Sequence, residues 1–208
     1  VNSWGHANTS GLKTIDYFIS AKNLETENSS SYYTEQLIKL SRMPCIYTPP
    51  KIKEGVSLRE REPLVDKDLL IGIPQSLFKF HPDYDNILSQ ITKNIPNAFL
   101  VLCEGTNINQ TRKLKARWSN SSPELLSRSV FLNRLSFNEY LALLNDLDIL
   151  LDPFYFGAGC TFYLSMVYGT PWVTMPRDQL KSRMVTACYL QMQLKDPPIA
   201  KNPQEYIE

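Results

Sequence analysis

Residues 152–161 read Asp-Pro-Phe-Tyr-Phe-Gly-Ala-Gly-Cys-Thr and follow an apolar run at residues 147–151, which predicts a β-strand. A helix predicted over residues 161–168 comes next, and a second apolar strand is predicted at residues 172–174. Glycines between a strand and a helix let a ligand approach the backbone, and the unpaired N–H groups of the first helical turn favour phosphate. A phosphate-binding loop and simple tight-turn chemistry both fit this stretch.

The same alternation of strand and helix extends through the chain from residue 68 onward. Short apolar runs predict strands, whereas apolar residues spaced three and four apart predict helices. Repeated strand–helix units imply an α/β fold in which a parallel sheet is covered by helices on both faces. Ligands bind such sheets at the carboxyl ends of the strands, where the 152–161 stretch lies. The further strands are predicted at residues 69–73, 98–103 and 130–132.

Two of the predicted helices carry start signals. Pro82 suits the first turn of a helix whose apolar residues 84, 87, 88 and 91 share one face. Ser136, with Glu139 three positions later, forms a capping box at the start of a second helix. Two further helices are predicted at residues 113–121 and 178–190.

The first 60 residues have a different pattern. Strands are predicted at residues 14–20 and 36–40, and the polar segment between them is typical of a loop. Residues 43–56 hold three prolines and a glycine, which indicates a hinge or linker. We therefore predict a boundary near residue 62. The segment before it is too short for a full core of its own, so we expect it to be the end of a preceding domain.

Composition excludes several classes of function. The net charge of +1 gives no electrostatic reason to expect a nucleic acid or an acidic membrane as a partner. Four cysteines without CxxC spacing and only two histidines predict no metal site. No apolar run is long enough to span a bilayer, so we expect a cytoplasmic protein. Because the sequence starts at Val1, inside a motif, we also expect a fragment of a longer protein.

Several motifs along almost the whole chain resemble those of one family, and they occur in that family's order. The family is that of the SPINDLY-type, bacterial O-GlcNAc-transferase-like glycosyltransferases, which are related to bacterial hexosyltransferases that glycosylate asparagine. Any single motif could be chance, but together they are specific. The motifs are WGHANTSG with TIDYFIS at residues 4–20, YTEQL at 33–37, QSLFKFHPD at 75–83, and FYFGAGCT with GTP between 154 and 171.

The resemblance implies a GT-B-type architecture, in which two Rossmann-like domains face each other across a cleft. Residues 63–208 would be the C-terminal domain that binds the nucleotide-sugar. Residues 1–62 would be the end of the N-terminal catalytic domain plus a linker. Most of that first domain, and any helical repeats upstream of it, would lie outside this sequence, so we expect the isolated chain to transfer no sugar.

The resemblance also implies the reaction. It would be the metal-independent, inverting transfer of a sugar from a UDP-sugar, with UDP-GlcNAc as the expected donor. The acceptor would be a Ser or Thr hydroxyl of a protein or peptide, and Asn is the alternative acceptor. No cofactor is needed besides the nucleotide-sugar donor. A different class of function also fits: a degenerate, non-catalytic homologue that serves as a binding or scaffold module.

The resemblance assigns roles to particular residues. Lys79 matches the lysine that meets the diphosphate leaving group, although a solvated surface lysine is the plain alternative. His6 would border the cleft as a second catalytic residue. His81 could cap the following helix or line the site, and Arg183 could contact phosphate, contact the other domain or face solvent. The residues expected to bind the nucleotide-sugar are Gln75, Lys79, Gly157, Gly159, Cys160, Thr161 and Leu164.

Departures from the family pattern cluster at the nucleotide loop. Leu164 stands where the family has an acidic residue that accepts hydrogen bonds from the ribose, and a leucine accepts none. It could instead pack into the core. Cys160 replaces an asparagine, and Arg177 stands where glycine is usual. The triplet Asp-Leu-Asp at residues 146–148 resembles a metal-binding motif of another glycosyltransferase architecture, but helix and strand capping is the better interpretation.

Overall fold

The structure, a computed structural model, describes residues 1–51, 57–105 and 107–208. The N-terminal part of these residues forms a small parallel sheet. Its strands pair in chain order, so each follows its neighbour in both sequence and space. The strands are β1 (Asn2–Ser3), β2 (Tyr17–Ala21) and β3 (Gln36–Leu40).

A larger sheet of five parallel strands follows, in the order β6-β5-β4-β7-β8. The chain moves outward from β4 through β5 to β6, and then returns to place β7 on the other side of β4. The carboxyl ends of β4 and β7 therefore flank the point where the winding direction reverses, which is the usual ligand position in such sheets. The strands are β4 (Leu69–Gly72), β5 (Ala98–Cys103), β6 (Ser129–Leu132), β7 (Ile149–Leu151) and β8 (Trp172–Val173).

Seven α-helices accompany the sheets in the described residues. The predicted α/β fold, with its alternating strands and helices, is thereby confirmed. The helices are α1 (Pro82–Asn94), α2 (Ile108–Ser121), α3 (Pro123–Ser127), α4 (Phe137–Asp146), α5 (Cys160–Met166), α6 (Met184–Met192) and α7 (Pro203–Ile207). None of the described helices is both long and apolar enough to cross a membrane.

The start signals of the helices act as expected at two places. Pro82 occupies the first turn of α1, and the capping box of Ser136 and Glu139 opens α4. Helix α2 is longer than predicted, because the Asn107 side chain accepts a hydrogen bond from the Asn109 N–H and caps an earlier start. The single helix predicted at residues 178–190 is wrong at its beginning, where a 3-10 turn precedes α6.

The five-stranded sheet buries both of its faces, and successive residues of each strand alternate between them. Leu70 and Leu150 belong to one hydrophobic core, while Ile71 and Leu151 belong to the other. The first core also takes in Phe18 from β2, so the two sheets share it.

The segment between the two sheets lies partly outside the described residues. The predicted linker over residues 43–56 includes 52–56, of which nothing is described, and the predicted boundary near residue 62 stays a prediction. Residues just after the linker bind the end of α4: the Asp146 carboxylate accepts hydrogen bonds from the backbone N–H groups of Leu58 and Arg59, at 2.6 and 3.1 Å. Arg59 in turn binds the Asp148 carboxylate at 3.0 Å.

Candidate functional site

A cavity of about 550 Å³ opens at the reversal point of the larger sheet. One wall is the loop that follows β4, residues 74–79, and the opposite wall is the loop that follows β7, residues 156–161. The end of β5 closes a third side. The structure therefore brings the motif at residues 75–83 next to the glycine-containing stretch, as the resemblance predicts.

Lys79 ends a 3-10 turn (Leu77–Lys79), and its ammonium group is held at the cavity wall. Nζ donates to Gln75 Oε1 and to the Gly157 carbonyl, both at 2.7 Å, and lies 4.3 Å from the centroid of the Phe156 ring. Burial lowers the pKa of Lys79 to about 8, against the opposing influence of the Asp152 charge. The ammonium is thus still protonated near neutral pH, in a place where its charge is poorly solvated.

Gln75 is 5% exposed and lines the same cavity. Its Oε1 accepts the hydrogen bond from Lys79, but its buried Nε2 has no partner among the residues that the structure describes. A buried donor without a partner costs free energy. A ligand that offers an acceptor atom, such as a phosphate oxygen, would remove this cost.

Asp152 has a structural role that sequence reasoning missed. Its buried carboxylate accepts hydrogen bonds from the Ala158 N–H at 2.6 Å and from the Thr174 hydroxyl at 2.8 Å, so it closes the loop on itself. Burial raises the pKa of Asp152 to about 7. An acidic residue directly after a buried strand is the sequence signal that could have identified it.

The two glycines of the stretch, Gly157 and Gly159, have different surroundings. A Cβ atom at Gly157 would lie 2.6 Å from Asp152 Oδ1, so this glycine leaves room for the carboxylate, and its contact with a ligand stays a prediction. A Cβ atom at Gly159 would meet nothing within 4 Å, and Gly159 lines the cavity. Close approach of a ligand is therefore available at Gly159.

Cys160 and Thr161 begin α5 and line the cavity. The Cys160 residue is exposed. No side chain caps this helix start. On the far side, the Tyr140 hydroxyl donates to the Pro74 carbonyl at 3.0 Å and lies 3.3 Å from Thr161 Oγ1, which joins the two walls.

Leu164 does not line the cavity. It is 8% exposed and belongs to the first hydrophobic core. It lies one turn beyond Cys160 and Thr161 on α5, where this helix packs against α4. The alternative of core packing therefore holds for the side chain present here, and a contact of residue 164 with the ribose stays a prediction.

His6 lies at a second, smaller cavity of about 170 Å³. Trp4 and His6 form one side of it, and Phe156 with Gly159 and Cys160 forms another. Because Gly159 and Cys160 also line the larger cavity, the two cavities meet at the glycine stretch. His6 and Lys79 thus lie on opposite sides of the same loop.

Two other candidates lie outside both cavities. His81 caps α1, since its Nδ1 accepts a hydrogen bond from the Asp83 N–H at 3.3 Å. Arg183 joins the two parts of the chain, because its Nε donates to the Leu24 carbonyl at 3.0 Å. Arg177 lies with its guanidinium carbon 5.3 Å from the centroid of the Tyr155 ring.

Two of the motifs quoted for the resemblance bind each other. The Glu35 carboxylate accepts hydrogen bonds from the Ser10 backbone N–H at 2.9 Å, from the Ser10 hydroxyl at 2.6 Å and from the Thr9 hydroxyl at 2.5 Å. Burial acts to raise the pKa of Glu35, but these hydrogen bonds outweigh it and hold the pKa well below its usual range. Glu35 thereby anchors the loop that carries His6.

The Asp-Leu-Asp triplet has the structural role that the sequence favours. Besides the contacts with residues 58 and 59, Asp148 Oδ2 accepts a hydrogen bond from the Leu70 N–H at 2.7 Å. Within residues 1–51, 57–105 and 107–208, no group of three or more His, Cys, Asp or Glu side chains is placed to hold a metal ion.

No protein-family model matches the chain. Among curated proteins, it is 24% identical over 210 residues to the probable UDP-N-acetylglucosamine–peptide N-acetylglucosaminyltransferase SPINDLY of Solanum lycopersicum. It is 25% identical over 209 residues to the protein of the same name from Arabidopsis thaliana. Each similarity covers 98% of this chain and 22% of the relative. The chain thus spans about a fifth of the length of these relatives.

Solved structures agree on the fold. An O-GlcNAc transferase of Thermobaculum terrenum superposes with a TM-score of 0.81 at 23% identity, over 97% of this chain and 38% of that protein. The match to TarM is weaker, with a TM-score of 0.57 at 11% identity, over 93% of this chain and 35% of TarM. The resemblance to SPINDLY-type O-GlcNAc transferases and the GT-B fold class are both confirmed.

Proposed function

We propose that this chain is the nucleotide-binding part of a metal-independent, inverting protein glycosyltransferase. Its ligand is a UDP-sugar, and UDP-GlcNAc is the donor that we propose. In this proposal residues 63–208 form the donor-binding domain, and residues 1–62 supply the end of the catalytic domain that faces it. The acceptor is a Ser or Thr hydroxyl of a protein or peptide. The names of the SPINDLY relatives support the donor and the peptide acceptor.

The convergence of Lys79 and Gln75 on one cavity carries the proposal. Two of the three donor positions of the Lys79 ammonium are bonded within the described part of the chain, so one is left for a ligand. The Gln75 Nε2 is a buried donor that awaits an acceptor. A cation and a spare donor at the reversal point of a parallel sheet suit a diphosphate.

These residues match the chemistry of glycosyl transfer. The acceptor hydroxyl oxygen attacks the anomeric carbon of the sugar and gives up its proton to water, while the bond from that carbon to the diphosphate oxygen breaks and its electron pair passes to the β-phosphate. Lys79 then stabilises the negative charge that develops on the leaving group, and a charge placed in a poorly solvated site does so most effectively. Because the lysine supplies this charge, no metal ion is needed for it.

The remaining residues have supporting roles in the proposal. Gly159 lets the diphosphate approach the backbone at the start of α5. Cys160 and Thr161 border the diphosphate on the same side. The cavity beside His6 adjoins the one beside Lys79, so the transferred sugar would extend from the diphosphate toward His6.

Calorimetric titration of the chain with UDP and with UMP tests the proposal. We expect UDP to bind more tightly than UMP, since only UDP carries the β-phosphate that Lys79 would meet. We also expect the affinity for UDP to be the same in Mg²⁺ and in EDTA. Failure of UDP to bind would contradict the proposed function, and binding that EDTA abolishes would contradict its metal independence.

A further inference from the structure

Glu104 lies at the same cavity as Lys79, but on a neighbouring strand. It directly follows β5, which pairs with β4 in parallel register, and its side chain is 20% exposed. Neighbouring strands of a sheet lie about 4.8 Å apart. Glu104 and Lys79 therefore line the same cavity from the segments that follow two neighbouring strands.

One oxygen of the Glu104 carboxylate is bonded to a lysine. Its Oε1 accepts a hydrogen bond from Lys115 Nζ at 3.0 Å, and that ammonium lies 4.5 Å from the centroid of the Phe131 ring. Within the part of the chain that the structure describes, Oε2 accepts no hydrogen bond. A carboxylate with a spare oxygen is a ready acceptor for hydroxyl groups.

A nucleoside diphosphate carries ribose hydroxyls that such an acceptor can bind. The ribose is joined to the α-phosphate through its 5′-oxygen, so its 2′- and 3′-hydroxyls lie across the sugar ring from the diphosphate. On the side of β7, the Asp152 carboxylate is already bonded inside its own loop, and Leu164 is buried in the core. On the side of β5, Glu104 offers an acceptor at the cavity.

We propose that Glu104 is the residue that selects the ribose, with Oε2 accepting hydrogen bonds from the 2′- and 3′-hydroxyls of the bound UDP. This inference rests on the proposed function, because it takes the ligand to be a nucleoside diphosphate held by Lys79. The carboxylate at the end of β5 thus accepts the ribose hydrogen bonds that Leu164 on α5 cannot accept.

Replacing Glu104 changes the affinity for UDP in opposite directions, depending on whether Glu104 binds the ribose or only lies near the diphosphate. A carboxylate near a diphosphate repels it, so replacing a bystander Glu104 by a neutral residue would tighten UDP binding. A carboxylate that accepts hydrogen bonds from the ribose would instead weaken binding when it is replaced, because hydrogen bonds to charged groups are the stronger ones.

The experiment is a titration of wild type, E104Q and the control E124Q with UDP and with 2′,3′-dideoxy-UDP. Glu124 is an exposed carboxylate on α3 that does not line the cavity, so E124Q makes the same change of charge elsewhere. We expect E104Q to weaken UDP binding about tenfold, to leave dideoxy-UDP binding unchanged or tighter, and E124Q to change neither.

Three outcomes would overturn the inference. They are an unchanged or tighter affinity of E104Q for UDP, an equal loss for both ligands, and an equal effect of E124Q. If E104Q does not fold, as shown by its thermal melt, E104D replaces it; the shorter carboxylate keeps the charge but withdraws from the ribose, so the same selective loss is expected. Absence of UDP binding in wild type would contradict the proposed function as well, whereas Lys79-dependent binding that ignores Glu104 would contradict this inference alone.

Discussion

At the residue scale, Lys79 and Gln75 orient each other through a hydrogen bond. The lysine donates to the amide oxygen at 2.7 Å, which turns the amide nitrogen away from the lysine and leaves it without a partner among the described residues. Sequence reasoning could predict Lys79 and Gln75 together, because both stand in one recognisable motif. It could not predict the hydrogen bond from Lys79 to the Gly157 carbonyl, which joins loops 78 residues apart.

Leu164 illustrates the limit of counting along a motif. The count places residue 164 on the first turns of α5, and the structure agrees with that position. The direction and depth of its side chain depend on how α5 packs against α4, and the sequence does not reveal this packing. Glu104 was missed for the complementary reason: it belongs to no recognised motif, and only the pairing of β5 with β4 brings it to the cavity.

We expect Leu164→Glu to destabilise the protein and not to improve UDP binding. A carboxylate at this position would be buried in an apolar core without a partner, at a cost of about 3 kcal/mol or more. Thermal melts and UDP titrations of this variant measure both effects. Leu164→Met is the control, since a change between apolar residues of similar volume costs less than about 1.5 kcal/mol. A variant with an unchanged melting temperature and tighter UDP binding would show that residue 164 faces the ligand.

At the scale of the elements, the glycine stretch is a loop held in place by hydrogen bonds to its own residue Asp152. The Asp152 carboxylate accepts one hydrogen bond from Ala158 inside the loop and one from Thr174, which follows β8. Gly157 leaves room for this carboxylate because it has no side chain. Apolar runs with turn signals were enough to predict most of the larger sheet. The two-residue strand β1 was beyond prediction, because a stretch of that length carries no periodicity.

We expect Gly157→Ala and Gly159→Ala to differ in stability. The added methyl group at residue 157 would lie within 3.0 Å of all three Asp152 carboxyl atoms, and those atoms are fixed by hydrogen bonds, so the loop must shift. Overpacking of this kind costs about 1–3 kcal/mol. The methyl group at residue 159 enters open space and should leave the melting temperature unchanged. Equal melting temperatures for the two variants would contradict this division of roles.

At the scale of the whole molecule, the two sheets are joined by a shared core. Phe18 and Leu24 belong to the same buried cluster as Met184 and Val185 on α6, and Arg183 binds the Leu24 carbonyl. The order of the strand–helix units was predictable from sequence. The order of strands within the sheet was not, because periodicity does not tell on which side of β4 the returning strand β7 will pair.

We expect the chain to unfold in one cooperative transition because the core is shared. Circular dichroism follows the helices, and tryptophan fluorescence follows Trp4 in the N-terminal part with Trp118 and Trp172 in the larger sheet region. Variants that retain only Trp4 or only Trp172 would report the two parts separately. Denaturant midpoints that coincide are the expected result. A Trp4 transition well before that of Trp172 would show that the N-terminal sheet unfolds independently.

The contact of Lys79 with a diphosphate is the central claim, and the affinity of the chain for UDP tests it most directly. The comparison is between wild type, Lys79→Met and Lys93→Met, where Lys93 is an exposed lysine on α1 that serves as the matched control. We expect Lys79→Met to weaken UDP binding about ten- to a hundredfold, the value of one charge-assisted contact, and Lys93→Met to bind as wild type does. Equal affinities of wild type and Lys79→Met would contradict the assignment of this cavity to the diphosphate.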